Sequence, residues 1–225
     1  MEVYFLRHGE TAWNRERRIQ GSTEWTDLTE DGVRAAEETL GGMLAQGLTF
    51  DRLFSSPYRR ALHTAQILGA GFGLEPETDD RLREISFGPY EGTRYGEGLF
   101  ADDNIRACFL DPPRYIARDG AEPFDAVAAR VRDFIDRTLV PLAATCARVL
   151  VVAHGGILRT VLRLVGVLSL DDFWKGPQPN CCSHVVTLAD GKLALKARAV
   201  VVRRFGKPKS SVGEIGDSDG GGWKI

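Results

Sequence analysis

The sequence lacks any spacing of cysteines or histidines that would hold a metal ion. Its 225 residues include four cysteines and four histidines. No two cysteines form a CxxC pair, Cys181 and Cys182 are adjacent, and the histidines are widely separated, so the spacing of a zinc site is missing. We interpret the cysteines as reduced thiols that pack as small side chains, and we predict that the protein uses no metal and no other cofactor.

Long apolar runs and a surplus of basic residues are also missing. The longest apolar stretch, residues 149–167, is interrupted by a histidine, glycines and two arginines, so it falls short of the roughly 20 apolar residues of a transmembrane helix. The apolar run at residues 3–6 is too short for a signal peptide. A formal net charge of −2 argues against a general nucleic-acid-binding protein. We expect a cytoplasmic protein with neither a membrane nor a nucleic-acid partner; a homodimer is one option for the oligomeric state, which the sequence leaves open.

Strand and helix patterns alternate along the chain, as is typical of an α/β domain with a mostly parallel sheet. Short apolar runs predict strands at residues 3–6, 53–54 and 149–153. Apolar periodicity predicts helices over residues 29–46, from Pro57, from Pro123 and after His154. A closing hairpin is predicted from residues 185–188 and 193–202. We assign residues 1–205 to one domain, residues 88–121 within it to a variable segment or lid over the site, and residues 206–225 to a mobile polar tail.

Two histidines directly follow predicted strands and precede glycines. His8 comes after the first strand and His154 after the strand at residues 149–153, and open α/β sheets bind ligands beyond the carboxyl ends of their strands. A single histidine of this kind would be interpreted as structural, but two in the same context favour function. Arg7 and Arg60 add planar guanidinium groups, each able to hold two oxygens of a phosphoryl group. Together these residues predict a phosphate pocket.

Several longer motifs accompany these residues in a fixed order. They are RHGETAWN at residues 7–14, Arg18 with Gln20-Gly21, SSPYRRALHTA at 55–65, LREISFGPYEG at 82–92, VVAHGG at 151–156 and Asn180-Cys181. In this combination the chain resembles the histidine phosphatase superfamily, also called phosphoglycerate mutase-like, over about residues 1–205. The resemblance implies a three-layer α/β/α fold with a mostly parallel central sheet.

The resemblance also implies a role for each matching residue. His8 is the implied nucleophile that becomes phosphohistidine, and Glu84 is the implied proton donor to the leaving oxygen. Arg7, Arg60 and His154 are implied to surround the phosphoryl group. Arg60 is chosen over Arg59, which we expect to be solvated, because the family's arginine directly precedes the alanine. The implied residues for phosphate or substrate binding are Arg7, Thr11, Asn14, Gln20, Gly21, Arg60 and Gly155.

Elementary chemistry agrees with the two central roles. His8 can attack phosphorus only as a neutral imidazole whose other ring nitrogen is tied to an acceptor. Glu84 must be protonated when the leaving group departs, so we expect its pKa to be raised. Taken alone, Glu84 would be interpreted as a surface acid that pairs with Arg81 or Arg83; its place within LREISFGPYEG favours the catalytic role.

Other candidates receive plainer interpretations. His63 and His184 are expected to be structural or exposed to solvent. Specificity is expected to come from residues 88–121. Four arginines in this segment could bind a second anionic group of the substrate: Arg94, Arg106, Arg114 and Arg118. We favour the alternative interpretation, that they are ordinary solvated charges.

Three functional hypotheses follow. The favoured one is a metal-independent phosphatase that acts on a small phosphorylated metabolite, because ISFGPYEG after Glu84 resembles the phosphatase branch. The alternative is a cofactor-dependent phosphoglycerate mutase, which would return the phosphoryl group to a substrate. The third is a catalytically inactive binding module, which the presence of all five implied catalytic residues disfavours.

Overall fold

The computed structural model describes residues 1–96 and 102–202, and its centre is a six-stranded mixed sheet. The strands are β1 (Glu2–Arg7), β2 (Arg52–Ser55), β3 (Glu77–Thr78), β4 (Arg148–Ala153), β5 (Cys182–Ala189) and β6 (Lys192–Val201). Their order is β3-β2-β4-β1-β5-β6, with parallel pairing from β3 to β1 and antiparallel pairing from β1 to β6. The predicted α/β class and mostly parallel sheet are therefore confirmed. The predicted turn of the closing hairpin is also present, with positive φ at both Asp190 and Gly191.

The helices pack on both faces of this sheet. They are α1 (Ala12–Arg15), α2 (Glu30–Ala45), α3 (Arg59–Phe72), α4 (Asp103–Leu110), α5 (Phe124–Phe134), α6 (Val140–Leu142) and α7 (Gly155–Leu164). A π-helical segment, Ile135–Leu139, joins α5 to α6. Thr29 caps α2 by accepting a hydrogen bond from the Gly32 amide.

Alternation along the strands divides the core into two apolar clusters. Val149 and Val151 of β4 belong to the larger cluster, with α5 and α7, whereas Leu150 and Val152 belong to the smaller cluster, with α2 and α3. Successive side chains of a strand point to opposite faces, so the two clusters are the two interfaces of a three-layer α/β/α arrangement. β4 is buried on both faces because it lies between two parallel neighbours.

One predicted helix boundary is wrong. The helix expected to open at Pro57 begins at Arg59 because the chain remains extended through Tyr58, whose φ and ψ are −65° and 133°. The amide of Ser56 donates to the carbonyl of Val152, which keeps this segment in the sheet's hydrogen-bonding pattern. Within the predicted segment 88–121, α4 and two short 3₁₀ turns form. The predicted tail at residues 206–225 lies outside the described residues.

The described residues contain no helix that is both long and apolar enough to cross a bilayer.

The aromatic contact between α5 and β2 is expected to contribute strongly to stability. Phe134 is fully buried, and its ring packs edge-on against Phe54 at a centroid distance of 5.6 Å. Phe134→Ala is expected to lower the free energy of unfolding by about 3–5 kcal/mol, measured by urea denaturation, because it leaves a cavity. Arg137→Ala is the control, since that side chain is 79% exposed. A loss below about 1 kcal/mol for Phe134→Ala would contradict this packing account.

Candidate active site

The two strand-end histidines lie side by side. β1 and β4 are parallel neighbours in which Arg7 pairs with Ala153, so His8 and His154 leave the same edge of the sheet. The amide of His8 donates to the carbonyl of Ala153 at 3.0 Å, and the two imidazole centroids are 5.2 Å apart. The predicted meeting of these side chains at the carboxyl ends of the strands is confirmed.

The His8 ring has a defined tautomer. It is buried, and its Nδ1 lies 2.7 Å from the carbonyl oxygen of Gly9, which can only accept. Nδ1 therefore carries the proton, and Nε2 keeps its lone pair. Burial, aided by the charges of Arg60 and Arg7, lowers the pKa of His8 well below its ordinary value, so the ring is neutral.

Glu84 is buried next to the start of α7 rather than paired on the surface. Its carboxyl group accepts hydrogen bonds from the amides of Gly156 and Ile85, each at 3.0 Å. A Cβ at Gly156 would lie 2.4 Å from Oε1 of Glu84, so only glycine permits this approach. Arg81 and Arg83 pair with other acids, which rules out the alternative surface role for Glu84.

Burial raises the pKa of Glu84 above its ordinary value. The two backbone amides and the charges of Arg60 and Arg7 oppose this rise. The direction agrees with the sequence-based expectation of a carboxyl group that can hold a proton.

Arg60, on α3, is held in place by hydrogen bonds to three oxygen atoms. Arg60 is fully buried, whereas Arg59 is exposed, in agreement with the choice between them. Arg60 donates to the carbonyls of Gly21 at 2.8 Å and Thr23 at 2.6 Å, and to the hydroxyl of Thr26 at 3.2 Å. Its Nε is buried without a partner among the described residues.

At this site, two further buried nitrogens lack a hydrogen-bond partner among the described residues: Nε of Arg7 and Nδ1 of His154. Arg7 also donates to the backbone carbonyl of Gln178. His154 holds Ser56 Oγ at 2.7 Å with its Nε2, and burial, with the charge of Arg60, lowers its pKa well below the ordinary value. Buried polar atoms are normally paired, so these nitrogens are donors that a bound oxyanion could engage.

A network of polar side chains connects the RHGETAWN segment to the site. Thr11 Oγ1 and Asn14 Nδ2 donate to Oε1 of Gln20 at 2.9 and 3.2 Å. Asn180 Nδ2 lies within hydrogen-bonding distance of Asn14 Oδ1 (3.2 Å) and of the carbonyl of His8 (2.9 Å). The network fixes Asn14 beside His8.

A pocket of about 310 Å³ opens over these groups. Its lining residues are Arg7, His8, Asn14, Arg17, Arg18, Gln20, Glu84, Phe87, Tyr95, Gly155, Gly156, Arg159, Trp174, Gln178 and Asn180. Four predicted residues are not part of this lining: Thr11, Gly21, Arg60 and His154. Arg60 and His154 each carry a buried nitrogen that has no partner among the described residues. Thr11 and Gly21, predicted to bind phosphate or substrate, therefore contact the residues that surround the pocket: Thr11 donates to Gln20, and the carbonyl of Gly21 accepts from Arg60.

The arginines of residues 88–121 do not reach this pocket. Arg94, Arg114 and Arg118 are exposed, and Arg106 pairs with Asp103 on α4, so the interpretation as solvated charges holds. His63 pairs with Asp27 at the surface. Within the described ranges, 1–96 and 102–202, no three His, Cys, Asp or Glu side chains come together as a metal-ligand set.

Comparison with known proteins assigns the chain to a family. The profile described as histidine phosphatase superfamily (branch 1) matches residues 3–200. The chain belongs to this superfamily. A Hydrogenobacter thermophilus protein, named provisionally as phosphoserine phosphatase 2, is 30% identical over 172 residues, which cover 76% of this chain and 82% of that protein.

Two other similarities bear on the reaction. A Yersinia pestis protein named as probable phosphoglycerate mutase GpmB is 43% identical over 91 residues, but the match covers only 40% of this chain and 41% of that protein. The solved structure of a mycobacterial glucosyl-3-phosphoglycerate phosphatase with VO3 has a TM-score of 0.73 and 28% identity, covering 88% of this chain and 98% of that one.

Sequence reasoning missed one wall of this histidine phosphatase pocket. Arg159, Trp174 and Gln178 line it, together with Phe87 and Tyr95. The signal available in the sequence was Arg159, a charged residue in the otherwise uncharged segment 156–162. The structure buries this whole segment of α7. The segment from α7 to β5, which holds Trp174 and Gln178, has no periodicity from which burial could be predicted.

Proposed function

We propose that this histidine phosphatase hydrolyses phosphomonoesters of a small metabolite through a phosphohistidine on His8. The observation that carries the proposal is the fixed tautomer of His8. Its Nδ1 is tied to Gly9, so a neutral Nε2 with a free lone pair lies in a pocket that also holds Arg7 and Glu84. A buried imidazole in this state can act as a nucleophile without prior deprotonation.

In the first step, Nε2 of His8 attacks phosphorus while the bond from phosphorus to the ester oxygen breaks. Glu84 gives its proton to the departing oxygen, which leaves as an alcohol. In the second step, Glu84 takes a proton from water, the oxygen of that water attacks the phosphohistidine, and inorganic phosphate and neutral His8 are regenerated. The raised pKa of Glu84 supports this alternation between acid and base.

The surrounding donors stabilise the charge on the transferred group. Arg7 and Arg60 supply two guanidinium charges, and positioned charge provides most of the catalysis of phosphoryl transfer. Ser56 Oγ accepts from the amide of Tyr58 at 3.4 Å and can donate to Nε2 of His154, which leaves the proton of His154 on its unpartnered Nδ1. That Nδ1–H would donate to a phosphoryl oxygen. Asn14, Gln20 and Gly155 complete the lining at this end.

No step in this sequence requires a metal ion, because the arginines supply the positive charge. Phosphate release is therefore expected to be unaffected by a strong chelator. Loss of activity in the chelator that returns on addition of a divalent ion would contradict the metal-independent mechanism.

Hydrolysis is favoured over phosphoglycerate mutation. The relatives named as phosphatases match most of this chain, whereas the mutase match covers 40% of it. The test supplies 3-phosphoglycerate and measures inorganic phosphate release beside formation of the 2-phosphate isomer. Phosphate release is expected to dominate, and faster isomer formation would establish the mutase instead.

The adjacent arginines on α3 provide a matched test of the phosphate site. Arg60→Ala is expected to lower kcat/KM for p-nitrophenyl phosphate by about 10²–10³-fold, since it removes a buried charge at the transferred group. Arg59→Ala, at an exposed position, is expected to leave it within about twofold. Equal effects of the two substitutions would contradict the assignment of Arg60.

A further inference from the structure

Glu91 is a partly buried carboxylate that the proposed mechanism does not use. Its Oε1 accepts hydrogen bonds from the backbone amide of Ser22 at 2.7 Å, the hydroxyl of Ser22 at 2.6 Å and the amide of Phe87 at 3.2 Å. Its Oε2 accepts from the hydroxyl of Thr23 at 2.6 Å. All four contacts come from donors, which suits a side chain that only accepts when it is ionised. Glu91 therefore holds residues 22 and 23 in one conformation.

The same short segment holds Arg60. The peptide group between Gly21 and Ser22 donates to Glu91 through its N–H, and its carbonyl accepts from Nη2 of Arg60 at 2.8 Å. Thr23 donates to Glu91 through its hydroxyl, and its carbonyl accepts from Nη1 of Arg60 at 2.6 Å. A peptide group that is hydrogen-bonded at both ends is polarised, and each of its bonds becomes stronger. The carboxylate and the guanidinium are thus linked through the backbone of the segment.

The indirect link leaves the charge of Arg60 available to a ligand. The guanidinium is fully buried, and the three oxygen atoms that hold it are uncharged. A carboxylate in direct contact would occupy the fork of donors that a phosphoryl group needs. Glu91 is one peptide group away, so it can offset the cost of burying the charge without occupying that fork.

The charge of Arg60 also acts on the catalytic histidine. After burial itself, it is the largest influence that lowers the pKa of His8. Burial lowers the pKa of Arg60 to about 10, and the negative charges of Glu84, Tyr58 and Glu91 oppose this change. A shift in the position or the charge of Arg60 would therefore be felt at His8.

Glycine is required at position 21 for this close approach. A Cβ there would lie 2.7 Å from Oε1 of Glu91 and 2.4 Å from the carbonyl oxygen of Ile85. A larger side chain would displace either Glu91 or the backbone that contacts Arg60. Gly21 thus belongs to the same unit as Glu91.

From these contacts we infer that Glu91 is a positioning residue of the phosphate site: it fixes the guanidinium of Arg60 through the peptide groups of residues 21–23 and compensates its charge without contacting the phosphoryl group. The inference rests on the proposed function, in which Arg60 stabilises the transferred group. It adds to that mechanism a carboxylate that acts only through Arg60.

The test is a double-mutant cycle between Glu91 and Arg60. Glu91→Gln keeps the size of the side chain but replaces one acceptor by a donor that faces other donors. In the wild-type background it is expected to lower kcat/KM for p-nitrophenyl phosphate by about tenfold to hundredfold. In the Arg60→Ala background the same change is expected to cost less than about twofold, because the group through which it acts is gone. An equal loss in both backgrounds would overturn the inference.

The matched control is Glu24→Gln. Glu24 directly follows Thr23 and is exposed, so this variant removes an equal charge close to the same segment. It is expected to keep kcat/KM within about twofold of the wild type. If Glu24→Gln and Glu91→Gln lowered activity equally, the effect would be one of overall charge, and the inference would be wrong.

A second variant covers the case in which Glu91→Gln does not fold. Thr23→Val removes the hydroxyl donor to Oε2 but keeps the carbonyl that accepts from Arg60. It is expected to lower kcat/KM by about threefold to tenfold, again only when Arg60 is present. Thermal unfolding of each variant is measured in both backgrounds. Any loss of stability should be the same in both, whereas the loss of activity should depend on Arg60.

Binding of orthovanadate, measured by calorimetry, separates this inference from the proposed function. Glu91→Gln is expected to weaken vanadate binding by about tenfold or more, and Glu24→Gln to leave it unchanged. If the wild type binds vanadate but hydrolyses no phosphomonoester, only the phosphatase proposal is overturned, and the binding cycle decides the role of Glu91. Wild-type vanadate affinity in both Glu91→Gln and Thr23→Val would overturn the inference.

Discussion

Replacement of His8 by alanine is expected to abolish phosphate release, with a loss in kcat of about 10⁴-fold or more. Removal of a nucleophile eliminates the covalent route and leaves only what binding and electrostatics provide. The measurement is phosphate release from p-nitrophenyl phosphate in the presence of a chelator. His8→Ala should leave the fold intact, because the neighbouring pairing of β1 with β4, Arg7 with Ala153, uses backbone groups.

A matched histidine provides the control. His63 lies at the surface and pairs with Asp27, so His63→Ala is expected to keep wild-type activity. If the His8→Ala and His63→Ala proteins were equally active, His8 would not be the nucleophile, and the observed hydrolysis would have to come from another group or a contaminant.

The second large effect is expected at Glu84, and it should depend on the leaving group. Glu84→Gln removes the transferable proton but keeps the size of the side chain. For alkyl phosphates, whose leaving oxygen needs protonation, kcat/KM is expected to fall by about 10²–10⁴-fold. For p-nitrophenyl phosphate, whose leaving group departs as a stable anion, the loss should be much smaller. An equal loss for both substrates would show that Glu84 acts in some way other than as the acid.

The pH dependence follows from the directions of the two pKa shifts. His8 must be deprotonated, and burial lowers its pKa, so the acid limb of kcat/KM is expected well below the ordinary histidine range. Glu84 must be protonated, and burial raises its pKa, so activity is expected to fall as pH rises through that raised value. In Glu84→Gln the basic limb should disappear for alkyl phosphates. A basic limb that persists unchanged would assign it to another group.

The sequence best predicts those elements that have a repeated apolar pattern and recognisable terminating residues, such as a helix cap. α2 begins after Thr29 and ends before Gln46, in agreement with the helix predicted over residues 29–46, and the helix predicted from Pro123 is α5, which buries Phe124, Val127, Val131 and Phe134. The sequence also predicts β1 and β4, because both are short apolar runs that end at a histidine. α3 began later than predicted because the sheet's hydrogen bonds hold Ser56 extended, a tertiary effect that no local pattern reports.

The residues of the candidate site also divide into those that the sequence predicts and those that it does not. The residues at strand ends and helix starts, such as His8, His154 and Gly155, have positions that follow from the topology. The motif resemblance added Glu84, whose burial against Gly156 depends on a loop crossing from elsewhere in the chain. Gln178 and Trp174 could not be predicted, because their placement depends on the three carbonyls that Arg159 holds across the segment between α7 and β5.

The central claim is that the phosphoryl group passes through His8, and trapping that intermediate tests it most directly. The protein would be mixed with excess O-phosphoserine or p-nitrophenyl phosphate, quenched with alkali within the first turnovers and digested for mass spectrometry. We predict one phosphoryl group, labile to acid and stable to base, on the peptide that contains His8, and none in His8→Ala. Continued turnover with no phosphorylated peptide, or a phosphoryl group on a different residue, would contradict the account.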